Sequence, residues 1–362
     1  MDGNTLYGLV ERYYDIGTHR AGTDGDRATV DWYGAELTRR GLAVERRAEP
    51  FDRYVTTSAL TADGVAIDHI PLFYEWTGSI TTDEVRVLAA DAKAGGRDGD
   101  LDHVLDPAQG AVAIATTHPD GSLVAVNREP RPHDGAPTVL IAGRDFATVD
   151  AADAVHLDLT AAIEPGTTTN LIARSATTGP PIVLTTPLTG WFGCAGERGT
   201  GVAVLLDLVE RFAEYPILVL ATGGHELDYL GVRRWVASSP EPLRAIVHVG
   251  ASVAVDAPDP DDGRRRLVPT RLAMTDLAGA PADRVGAALA PASFVFRPDT
   301  TGWLGESEVL CDLGVPMISF TGSGIDFHTP EDTPSRATSP AALATVADAI
   351  GDAIEAVWEA TA

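Results

Sequence analysis

Pro181-Ile182-Val183-Leu184-Thr185 is a short, mostly apolar run containing β-branched residues, and the pattern that repeats around it decides the fold. Pro216 to Ala221, Ala245 to Val249 and Val315 to Phe320 have the same character. Between several of these runs lie helical patterns, at Gly201 to Phe212, Leu227 to Val236 and Ala282 to Leu289, and a last helix is expected from Pro340 to about Trp358. Buried strands alternating with helices predict an α/β fold, a mainly parallel sheet sandwiched by helices. In such a sheet ligands gather beyond the carboxyl ends of the strands.

Upstream, residues 4 to 16 and 25 to 40 read as amphipathic helices. In the second, Ala28, Val30, Trp32, Tyr33 and Leu37 supply the apolar positions and Gly41 the stop. From about 56 to 169 short β-like runs, Ala111 to Ala115, Ser122 to Val126 and Thr138 to Ala142, alternate with Asp, Gly and Pro. This divides the chain into an α/β domain of residues 1–55 and 170–362 and a small, mostly β inserted domain of residues 56–169.

The formal charge of −25 excludes nucleic acid and anionic membrane as partners. Lys93 is the only lysine, and the acidity is spread along the chain rather than gathered in a tail, which suits a halophile or a high-GC genome. No apolar run reaches the roughly 18 residues of a membrane span. The first residues, Met1-Asp2-Gly3-Asn4, carry no secretory pattern, so the expected location is the cytoplasm. Cys194 and Cys311 form no CxxC pair and are expected as free thiols.

Polar residues concentrate where the strands finish. The segments are Thr185-Thr186-Pro187-Leu188-Thr189, Cys194-Ala195-Gly196-Glu197-Arg198-Gly199-Thr200-Gly201, Gly224-His225-Glu226-Leu227, Val247-His248-Val249-Gly250 and Phe327-His328-Thr329-Pro330-Glu331-Asp332-Thr333-Pro334. Two glutamates converging in a cleft repel, and a divalent cation would satisfy both. Arg198 is the competing answer, because it adjoins Glu197 and could neutralise it without a metal. His19, His69, His103, His118, His133 and His156 lack ligand spacing and are expected at the surface.

The last of these segments resembles the YHTPxDTP signature of the zinc aminopeptidase and glutaminyl cyclase family (metallopeptidase family 28). Glu197 to Gly201 resembles that family's DNASG motif, His225-Glu226 its Glu-Glu pair, and Arg20-Ala21-Gly22-Thr23 in part its RxxGT turn. The order and approximate spacing hold over nearly the whole chain. The resemblance implies a fold of the zinc-peptidase, phosphorylase/hydrolase-like type, with an insert similar to a protease-associated domain.

Carried over residue by residue, it also implies a dismantled two-metal site. The first histidine falls at Thr186 and the aspartate of the same motif near Leu188. The bridging aspartate becomes Glu197, the general-base glutamate His225, and the third-strand aspartate His248. The SDH triplet becomes Gly305-Glu306-Ser307. Glu226 and His328 survive. One metal keeps a complete set, Glu197, Glu226 and His328, with one place open as in catalytic zinc sites. The expected cofactor is therefore one divalent ion, zinc by resemblance. His248 stands as a further ligand or a hydrogen-bond partner of Glu197. His225 can be a general base, a fourth ligand or a harmless replacement. Trp191, Trp303 and Glu306 are candidate substrate contacts, although core packing is the default explanation of the tryptophans and pocket walls the alternative.

Three functions follow. The first is single-metal hydrolysis of a peptide or amide bond in a small-molecule or short-peptide substrate derived from amino acids. The second is cyclisation, dehydration or acyl transfer of the glutaminyl cyclase kind. The third is a binding protein on a peptidase fold that has lost its activity. Assembly into a homo-oligomer stays open.

Overall fold

The computed structural model describes residues 1–93, 101–238 and 242–361. At its centre four strands, Met317–Thr321, Ala245–Val249, Ile182–Pro187 and Ile217–Thr222, lie side by side in that order, all parallel. They are the four apolar runs of the sequence. Antiparallel neighbours close the sheet on both flanks: Leu272–Thr275 beside Met317–Thr321, and Val155–Arg174 beside Ile217–Thr222.

Alternation along the strands splits the core into two layers. Ile182, Leu184, Val219, Val247, Val249 and Phe320 face one side, where helices Gly3–Tyr14, Asp24–Arg39, Thr200–Arg211, Gly279–Leu289 and Pro340–Ala360 pack. Val183, Leu218, Leu220, Ile246 and Met317 face the other, against Val232 and Trp235 of helix Leu230–Ser238 and against Val309 and Leu310. The expected helix from Leu227 starts three residues later, because Asp228 and Tyr229 take left-handed backbone (φ 52° and 58°). Among the described residues no helix is long and apolar enough to cross a membrane.

The proposed insert hangs from a ribbon of two 20-residue antiparallel strands, Ala43–Ala62 and Val155–Arg174. At its base the ribbon joins the main sheet through residues 171–174. At its far end Gly78–Thr82 pairs with it, and Val85–Ala92, Ala111–Thr116, Thr138–Ile141 and His69–Pro71 form a separate four-stranded sheet. The ribbon runs unbroken through positions 55/56 and 169/170, so the sequence boundary falls inside paired strands. Ser122 to Val126 is buried but pairs in no sheet. Ala125 instead gives its backbone to His328.

His19 is not at the surface. It is fully buried, stacks on Tyr13 with ring centroids 3.7 Å apart, and meets Thr29 Oγ1 through Nδ1 at 2.7 Å. Its neighbours are a helix turn and an aromatic ring, a setting that sequence spacing does not reveal. Burial brings its pKa down to about 3 from an ordinary 6.5. As pH falls, the unfolded chain therefore takes up this proton first. The contribution of His19 is complete above about pH 6.5 and declines by about 1.4 kcal/mol per pH unit toward pH 3. His19→Gln should lose less melting temperature than the parent between about pH 7 and pH 5, read by thermal denaturation at both values.

Candidate active site

The carboxyl ends of the four parallel strands carry the site. After Ile182–Pro187 the chain turns through Thr189 and Gly190 into a single π-turn, Ala195–Gly199, which opens helix Thr200–Arg211. Asp332 fixes that turn by accepting from the backbone N–H groups of Gly196 (2.7 Å) and Glu197 (2.9 Å). Burial raises the Asp332 carboxyl to about 7, while these two donors pull the other way. After Ile217–Thr222, Gly224 adopts φ 73°, open to glycine at little cost, and sends His225 and Glu226 back over the strand ends.

Glu197, Glu226 and His328 do converge, but around a guanidinium. Arg198, 1% exposed, places Nη2 at 2.9 Å from Glu197 Oε1 and donates from it to Glu226 Oε1 at 3.2 Å. Its Nε donates to the Thr189 carbonyl at 2.9 Å. His328 Nε2 lies 3.3 Å from the same Glu197 oxygen. Burial would raise the Glu197 carboxyl, but Arg198 and then His328 outweigh it and bring it to about 2. Burial likewise opposes charge on His328, and Glu197 reverses this, leaving the imidazole above its ordinary value.

The fit of a metal can be judged from these atoms. A zinc ion stands about 2.0–2.2 Å from carboxylate oxygen or imidazole nitrogen. Here one Arg198 nitrogen touches both carboxylates, so it holds the place a bridging ion would need. Among the described residues no group of three or more His, Cys, Asp or Glu side chains is arranged to hold a metal. The expected single-metal set is thus assembled and closed by a cation of the chain itself. His248, expected as a fourth ligand or a partner of Glu197, makes neither contact. It is buried within its strand, its Nδ1 has no hydrogen-bond partner, and burial lowers its pKa to about 4.

A second cluster lies beside the first. His225 Nδ1 donates to Glu306 Oε1 at 3.2 Å, and the His225 backbone N–H donates to Thr189 Oγ1 at 3.0 Å. The Thr222 hydroxyl lies 2.8 and 2.9 Å from the two Glu306 oxygens. Burial works against charge on Glu306, but its hydrogen bond with His225, the charges of His225 and His248, and the Thr222 hydroxyl hold its carboxyl below the usual range. Glu306 is fully buried, with His225 between it and the cleft. His225, with 17% of its side chain exposed, lines an open cleft with Glu226, Tyr229, Arg233, Asn127 and Arg128.

Trp191 lines a narrow extension of this cleft with Arg20, Phe73 and Glu226, and its Nε1 donates to Asn127 Oδ1 at 2.7 Å. Trp303 packs instead on the apolar layer formed by Val309, Leu310 and Met317. Sequence reading missed Asn127, which lies in the insert in no recognisable motif. It also missed that Glu306 pairs with His225, 81 residues away.

No protein-family model matches the sequence, and no curated protein is significantly similar to it. Its structure is similar to that of a zinc aminopeptidase from Bacillus subtilis, with a TM-score of 0.73 at 16% identity, covering 99% of this chain and 95% of that one. It is similar to an aminopeptidase from Aneurinibacillus, with a TM-score of 0.64 at 18% identity over 98% and 93%. A glutaminyl cyclase from Porphyromonas gingivalis aligns with a TM-score of 0.54 at 13% identity over 99% of each chain. The chain has the fold of these aminopeptidases and cyclases over essentially its full length.

Removing the carboxylate that fixes the π-turn tests how far the site depends on it. Asp332→Ala leaves two buried N–H groups unpaired and should cost about 2–4 kcal/mol of stability, measured by urea denaturation. An unchanged midpoint would mean that the turn holds itself.

Proposed function

We propose that the chain is a divergent member of metallopeptidase family 28 acting on the carbonyl of an amide or peptide bond in a small amino-acid-derived substrate. In this reading His225 moves the proton and Arg198 stands where relatives hold a metal. The observation that carries it is the Glu306–His225 pair opening on a cleft at the strand ends. A buried carboxylate bonded to Nδ1 fixes the tautomer and leaves Nε2 for chemistry, the logic of a base oriented by an acid. Among the described residues His225 Nε2 has no protein hydrogen-bond partner.

In hydrolysis, Nε2 takes a proton from water as the water oxygen bonds to the carbonyl carbon. The same proton then passes to the leaving nitrogen as the C–N bond breaks. If the substrate's own amine attacks instead, it gives its proton to Nε2, the new C–N bond forms, and ammonia or an amine leaves with that proton. Asn127 is suited to meet the carbonyl oxygen. It lines the cleft, and with its Oδ1 accepting from Trp191 its Nδ2 is the group left to donate. Neither course needs a metal-bound water.

A second reading, a binding protein on this fold, is favoured by one observation, the guanidinium in the metal's place. One experiment separates the two. The purified chain is incubated in EDTA with aminoacyl amides, dipeptides and peptides bearing N-terminal glutamine, and products are read by mass spectrometry. Turnover unaffected by chelator is expected. His225→Ala should lower kcat by about 10²–10⁴-fold, and Glu306→Gln should lower it less and shift the pH profile. Absence of any product across the panel favours the binding protein.

A further inference from the structure

The unpaired atoms around Arg198 say more about this site than the pairs do. Both oxygens of Glu197, Glu226 Oε2 and Arg198 Nη1 are all buried and have no hydrogen-bond partner. One guanidinium therefore reaches only one oxygen of each carboxylate, Glu226 Oε1 by a hydrogen bond and Glu197 Oε1 by charge alone, and its other terminal nitrogen is idle. A carboxylate pair shaped around an arginine would be expected to use both ends of the planar fork. Here both Oε1 atoms crowd a single nitrogen, as oxygens crowd a point charge.

His328 is oriented in the same sense. Its Nδ1 donates to the Ala125 carbonyl at 3.0 Å and its own carbonyl accepts from Ala125 N–H at 2.9 Å, which turns Nε2 toward Glu197. A backbone carbonyl on the far nitrogen is the usual means of aiming an imidazole at a metal. The residue holds left-handed backbone (φ 62°), a strained conformation for a residue with a β-carbon. Room for the arginine comes from Gly190, where a β-carbon would stand 3.1 Å from Arg198 Cγ and 2.8 Å from Cys194 Sγ.

We infer that Glu197, Glu226 and His328 form a latent divalent-metal site that the side chain of Arg198 keeps closed, the guanidinium serving as a built-in substitute for the ion. The inference rests on the metal-free reading of the site above, and it is independent of whether His225 is a base. The wild-type chain holds its acid pair without zinc, and shortening residue 198 opens a three-ligand site with one coordination place to spare.

The test reads metal, not catalysis. Wild-type protein, Arg198→Ala, Arg198→Lys and the double variant Arg198→Ala/His328→Ala are dialysed against zinc and then against metal-free buffer. Zinc per chain is measured by elemental analysis, and melting temperature is followed against zinc concentration. Arg198→Ala should retain one zinc per chain, and its melting temperature should climb with zinc. Wild type, Arg198→Lys and the double variant should retain none and show no climb.

A folded Arg198→Ala that retains no zinc overturns the inference. So does a wild-type chain that retains one zinc per chain and loses it in Glu226→Ala and His328→Ala. If Arg198→Ala is insoluble without metal, recovery of folded protein on refolding in zinc supports the inference, and failure to recover it overturns it. A metal-free wild type with no activity on any amide defeats only the proposed function.

Discussion

Two carboxylates and one guanidinium, closed off from water at the ends of four parallel strands, set the terms for the rest of this molecule. Removing charges from water costs several kcal/mol per ion, and only close, well-made contacts return it. The chain meets that demand from several directions at once. Thr189 anchors the guanidinium by its carbonyl, Gly190 clears the volume, and His328 sets its Nε2 3.3 Å from Glu197. The π-turn that presents Glu197 and Arg198 side by side is itself fixed by Asp332, from the segment that supplies His328. Each element is explained by the others, and none would be needed if the acids were absent.

The same strand ends carry a second polar unit that obeys a different rule. Thr222, Glu306 and His225 form a chain of hydrogen bonds running from the buried interior to a partly exposed ring. Thr189 joins the two units, accepting Arg198 on its carbonyl and the His225 backbone on its hydroxyl oxygen. A permanent charge and a titratable ring are thus held at fixed separation by one threonine. This is the kind of preorganisation that lets a site act without rearranging.

Much of this could be read from the residues, and the limits have physical causes. Four apolar runs gave four strands, because a buried parallel strand is apolar on both faces and stands out in any sequence. The Phe327 to Pro334 segment and the Glu197 to Gly201 stretch located the site, since glycines and charges in an apolar setting need a reason. The sequence also put Arg198 beside Glu197. What it could not supply was reach: whether that side chain swings outward to solvent or inward between two acids depends on the space left by Gly190, eight residues earlier. His19 was misjudged for a related reason, its burial being decided by how the helices Gly3–Tyr14 and Asp24–Arg39 close around it. Ser122 to Val126 has the composition of a strand, but its backbone is satisfied by the Thr116 hydroxyl and by His328 rather than by a neighbouring strand.

That partnership changes what the inserted segment is. Ala125 holds His328 by both its N–H and its carbonyl, Asn127 is fixed by Trp191, His118 meets the Ile325 carbonyl and Arg144 reaches Glu331 at 3.2 Å, so the ribbon returns its cargo onto the segments that build the site. Lifting this roof to widen the cleft would free the imidazole ring as well. A chain trimmed to the α/β core would keep every acid and base of the cluster yet lose the grip that aims His328.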